Sequence, residues 1–331
     1  MKRTPAIALL LLAVLIVGVG CATVGLVESI EKLLAEAKAL LDARKFDEAL
    51  TKLTEVIRRD PAQWKAYLYG AQAYIGKLDW TAALTNIRKA YQLAPSDTSV
   101  VATLGESLFG AGRDALQRGA FSDAVGHFVE YVKLRPTDAQ GYLNAGRAYI
   151  GTRDWGGALD NLRKAYQLAP SDGSVLTTLT ESLFGAGRDA LQRGAFSDAV
   201  GHFVEYVKLK PTDAAGYLNA GRAYIGNKSW LDAGRVLVEG VGRASDPAAR
   251  KEFASTLFDG GRQALNLGDP KGAVAMLREY VKLEPADANA YLNLGKAYVS
   301  SGESFEALGA FRKVLELSPQ NEEARRFLLG R

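Results

Sequence analysis

One stretch of the amino-acid sequence occurs twice, and this duplication limits the folds that the chain can adopt. Residues 80–154 recur almost letter for letter as residues 155–229, and the segment 106–134 recurs unchanged as 181–209. A weaker third copy begins at Trp230. Self-similarity at a fixed period is typical of a repeat array, in which each unit buries its apolar face against its neighbours. The duplication therefore predicts an array of stacked units around a shared core.

The N-terminus predicts export from the cytoplasm. Lys2 and Arg3 form a short basic start, residues 6–20 are apolar or small, and Cys21 follows directly. A basic start, an apolar run and small residues at its end are typical of a secretory leader. The cysteine at this point resembles a bacterial lipoprotein signal, which is cut before the cysteine that then carries lipid. We predict a leader over residues 1–20, lipidation of Cys21 and a tether over residues 21–29.

Two alternatives for this segment stay open. An uncut membrane anchor is one, because residues 4–27 carry no charge and a membrane span needs roughly 20 residues. An ordinary cleaved signal with an incidental cysteine is the other. All three place the rest of the chain outside the cytoplasm, since Lys2 and Arg3 favour the inner side. Ala22, by resemblance to enterobacterial lipoproteins, predicts the outer membrane and a chain that faces the periplasm; an anchor would hold it at the inner membrane.

From Ser29 onward the apolar spacing is helical, and the pattern reads as successive helix–turn–helix units that each end near a proline. Small residues allow the two helices of a unit to approach, aromatic residues fill the space between them, and proline ends the second helix. The unit over residues 64–97 carries these positions as Tyr67, Gly70, Ala71, Tyr74, Trp80, Ala83, Ile87, Ala90 and Pro95.

This pattern resembles the tetratricopeptide repeat. The resemblance covers residues 30–321 and implies an all-α superhelical solenoid of about eight units, closed by a helix over residues 322–331. Units of 34 residues alternate with units of about 41, and the seven extra residues add two helical turns to the first helix. In the sixth unit Ser245 stands where proline is expected, which predicts a looser joint over residues 241–249.

Catalysis finds no support in the residues. The two histidines, His127 and His202, are the same position in the two copies and lie two repeats apart, so they are predicted not to share a metal ion. A single cysteine and two histidines build no zinc site, and no glycine-rich phosphate loop follows a strand. The net charge of +4 is smaller than the strongly basic charge that is typical of nucleic-acid-binding proteins. We expect no enzyme, metal, cofactor or nucleic-acid partner.

Basic residues recur at the ninth position of six first helices. They are Arg113, Arg147, Arg188, Arg222, Arg262 and Lys296. In the family that the chain resembles, first helices line a concave groove, and the fifth and ninth positions face into it. The resemblance therefore implies a groove that also shows Phe109, Phe184 and Phe258 at the fifth position, with Asn144, Asn219 and Asn293 at the sixth.

These residues predict a non-enzymatic, membrane-tethered scaffold for protein–protein interaction in the bacterial cell envelope. Guanidinium groups suit bidentate capture of carboxylates, so the expected partner is an acidic protein or peptide segment bound in the groove. By analogy the scaffold would serve outer-membrane, pilus, secretion or polysaccharide-export assembly. Two alternatives stay open: salt bridges with residues such as Asp114 neutralise the basic column, or the array is a semi-rigid spacer without a specific ligand.

Overall fold

The computed structural model of the protein describes residues 30–329, so the predicted leader, Cys21 and the tether lie outside the described residues. Over this range the chain forms seventeen helices and no strand. No helix within it is long and apolar enough to cross a membrane. The described residues divide into two compact units, the first ending at Pro170 and the second beginning at Ser171.

The first unit contains four helical hairpins. Its helices are α1 (residues 30–42), α2 (Phe46–Arg59), α3 (Trp64–Gly76), α4 (Trp80–Leu93), α5 (Thr98–Gln117), α6 (Phe121–Leu134), α7 (Ala139–Gly151) and α8 (Trp155–Leu168). The second unit contains four more hairpins and a last short helix. Its helices are α9 (Gly173–Gln192), α10 (Phe196–Leu209), α11 (Ala214–Gly226), α12 (Trp230–Val241), α13 (Pro247–Asn266), α14 (Pro270–Leu283), α15 (Ala288–Ser301), α16 (Ser304–Leu317) and α17 (Glu322–Leu329).

The predicted all-α class and the alternation of unit lengths are confirmed. Helices α5, α9 and α13 each have 20 residues, whereas α3, α7 and α11 have 13. Because seven residues are close to two full turns, the longer helices keep the same face toward their partners. The extension therefore adds surface at the N-terminal end of three first helices without changing the hairpin.

Local sequence sets where these helices begin and end. At the start of α4 the Asp79 carboxylate accepts a hydrogen bond from the N–H of Ala82, which satisfies a free donor of the first turn. The helix ends at Leu93, and Ala94 adopts φ −142° and ψ 67° because the residue before Pro95 avoids the helical region. Aspartate occupies the same capping position as Asp97, Asp138, Asp154, Asp172, Asp213, Asp246, Asp269 and Asp287.

Within each hairpin a small residue on the first helix admits a large side chain from the second. In the first unit the ring of the fully buried Phe128 in α6 lies against Gly112 in α5. In the second unit Phe311 of α16 lies against Gly295 of α15 in the same way. Such close approach gives the dense packing on which an array of thin layers depends.

A second contact joins neighbouring hairpins at four places. The aromatic residue that begins a second helix lies on a glycine of the following first helix, and a Cβ at that glycine would fall 2.2 or 2.3 Å from a ring atom. The pairs within the first unit are Phe46 with Gly76, Trp80 with Gly110 and Phe121 with Gly151, and Phe196 with Gly226 repeats the contact in the second. Only glycine allows this approach.

The segment 241–249 differs from its prediction. The Arg243 guanidinium donates to the carbonyl of Pro211 at 2.6 Å and to the carboxylate of Glu239 at 2.9 Å, and it stacks over Tyr217 at 4.4 Å. These contacts tie the joint back to the start of its own hairpin. The joint is therefore fastened by an arginine where the other units use proline, and the prediction of a looser joint is wrong.

The last helix, α17, lies against the final hairpin. Phe327 stacks on Phe311 with ring centroids 4.4 Å apart and planes 7° from parallel. The Lys296 ammonium forms an ion pair with Glu323 at 2.7 Å, and Ala324 is fully buried. The short helix thus covers apolar surface that the final hairpin would otherwise expose.

Candidate functional site

An open cleft of about 720 Å³ lies along α5 in the first unit. One face of α5 forms its floor, and the C-terminal part of α6 and the Trp80 ring form its walls. Its principal lining residues are Ala102, Gly105, Glu106, Phe109, Gly110, Arg113, Tyr131 and Arg135. The cleft therefore contains two of the predicted groove residues, Phe109 and Arg113, on the same side of one helix.

The aromatic floor of this cleft is held rigidly. The Phe109 ring meets Phe128 edge-on at 5.8 Å and Tyr131 at 5.1 Å between centroids. The Tyr131 hydroxyl donates a hydrogen bond to the Asp138 carboxylate, whose other oxygen caps α7. Burial, followed by this hydrogen bond, raises the pKa of Tyr131 to about 12. A ligand would meet a surface that is already ordered, which lowers the entropy cost of binding.

The rim of the cleft carries charges that the protein leaves unpaired. Arg113 and Arg135 are exposed, and neither forms an ion pair with any residue in the range 30–329. Asp114, which might have neutralised the neighbouring arginine, pairs instead with Arg118 at 2.8 Å. Glu106 of α5 also lines the cleft. The salt-bridge alternative therefore does not apply to Arg113.

The second unit repeats this cleft along α9, with a volume of about 400 Å³. Phe184 meets Phe203 at 5.7 Å and Tyr206 at 5.2 Å, and the Tyr206 hydroxyl donates to Asp213. Burial and that bond raise the pKa of Tyr206.

The rim of the second cleft carries Arg188 and Lys210, and neither forms an ion pair within the described residues. Asp189 pairs with Arg193 at 2.8 Å, as its counterpart does in the first copy.

The equivalent surface on α13 keeps the floor and changes the rim. Phe258 lies 4.9 Å from Tyr280, and the Tyr280 hydroxyl donates to Asp287 at 2.9 Å. Arg262 stacks over Phe258 at 5.5 Å. The rim residues that correspond to Gly110 and Arg135 of the first cleft are Asp259 and Glu284. This third surface is therefore more acidic than the other two.

The remaining predicted groove residues lie outside these clefts. Arg222 pairs with Glu252 at 3.3 Å, Lys296 pairs with Glu323 at 2.7 Å, and Arg147 is exposed but has a partner. The three predicted asparagines each donate a side-chain N–H to the backbone carbonyl four residues earlier, at 2.8 Å. They are Asn144, Asn219 and Asn293. These asparagine donors are committed to their own helices.

The sequence reasoning missed the second-helix residues of the clefts. Tyr131 and Arg135 come from α6, and Tyr206 and Lys210 come from α10. A signal was present, because a tyrosine stands five residues before the terminal proline in both copies, and again at Tyr280. These residues were missed because the resemblance assigns only first helices to the groove.

The two histidines do not contribute to the clefts. His127 is half-buried on α6, where burial and then the charge of Arg88 lower its pKa. His202 is half-buried on α10. Within residues 30–329, no group of three or more histidine, cysteine, aspartate or glutamate side chains is placed to hold a metal ion.

Stacked helical hairpins with small-to-large packing and open clefts on their first helices define a helical repeat protein of the kind that typically binds other proteins and is non-catalytic. The sequence matches the Tetratricopeptide repeat family over residues 34–98, 109–173 and 258–322, which is more than half of the chain. The chain therefore belongs to the tetratricopeptide repeat family.

The chain is similar to several proteins of known sequence or structure. It is 22% identical over 292 residues to Protein CTR9 homolog from Arabidopsis thaliana, covering 87% of the chain and 26% of that protein. It is 29% identical over 103 residues to Tetratricopeptide repeat protein 16 from Homo sapiens, covering 31% of the chain and 12% of that protein. The chain thus spans about a quarter or less of these curated relatives.

Among solved structures, a tetratricopeptide repeat protein from Parabacteroides merdae aligns with 91% of the chain and 98% of its own length, at 14% identity and a TM-score of 0.37.

Proposed function

We propose that the protein is a non-enzymatic scaffold that binds acidic, extended segments of partner proteins in the clefts of its first helices. The observation that carries this proposal is the pair of unpaired guanidinium groups of Arg113 and Arg188, each beside an ordered aromatic floor. A guanidinium group binds a carboxylate through two parallel hydrogen bonds, and an aromatic floor contributes apolar contact area. Together they suit a segment with a carboxylate next to an apolar side chain.

The test is selection of a random peptide library against the purified full-length chain. We expect the selected peptides to be enriched in aspartate and glutamate. In fluorescence polarisation, the double variant Arg113→Glu and Arg188→Glu should bind them at least about tenfold more weakly, which corresponds to about 1.4 kcal/mol. Neither arginine has an ion pair to lose within the described residues, so helical circular dichroism should not change.

A matched control reverses two charges away from the clefts. Lys164 on α8 and Lys271 on α14 are exposed residues of second helices. The double variant Lys164→Glu and Lys271→Glu changes the net charge by the same amount and should keep its affinity. Equal losses in both double variants would mean that the effect is one of overall charge, and unchanged affinity of the arginine variant would refute the cleft as the binding site.

We also propose that lipid on Cys21 tethers the scaffold to a membrane of the bacterial cell envelope, with the array facing the periplasm from the outer membrane. Support comes from the basic start, the apolar run and the cysteine that follows it. The partner would then belong to an envelope assembly such as outer-membrane insertion, pilus or secretion systems, or polysaccharide export.

The tether is tested by the intact mass of membrane-extracted protein. We expect a chain that begins at Cys21 with added acyl mass, and loss of that mass in Cys21→Ser. A full-length chain that retains Met1 would contradict lipidation and indicate an uncut anchor instead.

A further inference from the structure

The two hairpins that carry the clefts differ at few positions, and most of these positions line the clefts. Residues 98–138 and 173–213 differ only at Thr98/Gly173, Val101/Leu176, Ala102/Thr177, Gly105/Thr180 and Arg135/Lys210. Three of these five pairs, at 102, 105 and 135, line the first cleft and its counterpart. The aromatic floor and the arginine of the rim are identical. The copies therefore share a recognition chemistry but differ in the shape of the site.

The differences add side-chain bulk to the second cleft. It carries Thr177 and Thr180 where the first has alanine and glycine. The Thr180 hydroxyl donates to carbonyls of its own helix at 2.9 and 3.0 Å. Thr180 is almost fully buried, so the added bulk that a ligand meets comes from the exposed Thr177. The first cleft, at about 720 Å³ against about 400 Å³, also includes space along the Trp80 ring.

We propose that the two clefts bind the same class of ligand with different size selectivity. Each takes a segment with a carboxylate beside an apolar side chain; the α5 cleft prefers an aromatic side chain and the α9 cleft a short aliphatic one. The exposed pair Ala102 and Thr177 sets this difference. The α13 surface binds no such segment, because Asp259 and Glu284 place negative charge on its rim. The inference rests on the proposed function and predicts two ligands per chain.

The experiment uses two defined peptides and the full-length chain. The first is acetyl-Ser-Glu-Trp-Glu-Ser-amide, and the second has valine in place of tryptophan. Isothermal titration should give two sites on the natural chain and one in either single charge reversal. In the Arg188→Glu variant only the α5 cleft still binds, and the tryptophan peptide should bind at least about fivefold tighter than the valine peptide. In the Arg113→Glu variant only the α9 cleft still binds, and that preference should disappear or reverse.

The side chain at position 102 can be exchanged because it is exposed on α5, as its counterpart Thr177 is on α9. Ala102→Thr in the Arg188→Glu background should therefore abolish the preference for tryptophan. Thr177→Ala in the Arg113→Glu background should create it. Both comparisons use the ratio of two affinities, so a small general loss of stability does not affect the result.

The outcomes separate this inference from the proposed function. Saturable binding of neither peptide at millimolar concentration would overturn the proposed function. Binding at two sites with the same preference in both clefts, or a preference unchanged by Ala102→Thr and Thr177→Ala, would overturn the size selectivity alone. A third equivalent site would show that rim charge does not exclude the α13 surface, and would overturn that part of the inference.

Discussion

The packing of Phe128 against Gly112 allows a prediction with an internal control. A Cβ at Gly112 would lie 2.7, 2.8 and 2.9 Å from three atoms of the Phe128 ring, and this ring is fully buried. A Cβ at Gly126, in the middle of α6 of the same hairpin, would meet nothing within 4 Å. The two glycines thus share a helical backbone and differ in the space around them.

The magnitudes follow from two opposing effects. Alanine is about 1 kcal/mol more favourable than glycine in a helix interior, and this gain applies to both Gly112→Ala and Gly126→Ala. Crowding a packed core costs about 1–3 kcal/mol, and this cost applies to Gly112→Ala alone. Gly126→Ala should therefore stabilise the hairpin by up to about 1 kcal/mol, and Gly112→Ala should be less stable than Gly126→Ala by about 1–3 kcal/mol.

The assay is urea denaturation followed by circular dichroism at 222 nm. Because the hairpins of a repeat array need not unfold together, hydrogen exchange of α5 and α6 should report the same difference locally. Phe128 also supports Phe109 in the cleft, so Gly112→Ala should weaken peptide binding in the α5 cleft, whereas Gly126→Ala should not. Equal stabilisation by the two variants would refute the reasoning, since it would mean that the Phe128 ring has room to move.

Three further predictions concern contacts between hairpins. Tyr131→Phe removes the hydrogen bond to Asp138 and should lower the free energy of unfolding by about 1–3 kcal/mol in urea denaturation; an unchanged midpoint would contradict this. Burial first, and hydrogen bonding second, raise the pKa of Tyr131 and Tyr280 to about 12. A raised pKa favours the neutral hydroxyl in the folded state, so this stability is complete below about pH 10 and is lost as pH rises toward 12. The double variant Tyr131→Phe and Tyr280→Phe should lose less stability over that alkaline range than the natural chain. Arg243→Ala should increase hydrogen exchange over residues 241–249, whereas Arg235→Ala, which removes an exposed pair with Asp232, should not.

The sequence was sufficient to predict the hairpins, because their determinants are local. Helical apolar spacing, an aspartate at the start and a proline after the end each act within a few residues. The extra two turns of α5, α9 and α13 could also be predicted, since an insertion of seven residues preserves helical facing. These features required no knowledge of how one hairpin meets the next.

The composition of the clefts could not be predicted because it depends on contacts between elements. Tyr131 and Arg135 lie beside α5 only because α6 packs at a particular angle and offset. The partner of Arg222 is Glu252, thirty residues away in the next first helix, and sequence spacing alone does not select it from other carboxylates. At the joint over residues 241–249, the sequence shows that the proline is missing. It does not predict the hydrogen bonds that Arg243 forms there instead.

The same packing explains which positions of a duplicated hairpin are free to change. Phe109 is fixed by two rings and Tyr131 by its bond to Asp138, so substitution there would cost core packing or a capping carboxylate. Positions 102 and 135 are exposed at the cleft, whereas a Cβ at the buried position 105 would contact Leu134 and Arg135 at the end of α6. A hairpin of this kind can alter what it binds at the two exposed positions while it keeps its stability, and the two copies differ at both. Exchange of residues 102 and 135 between the copies should therefore move ligand preference with little change in the free energy of unfolding.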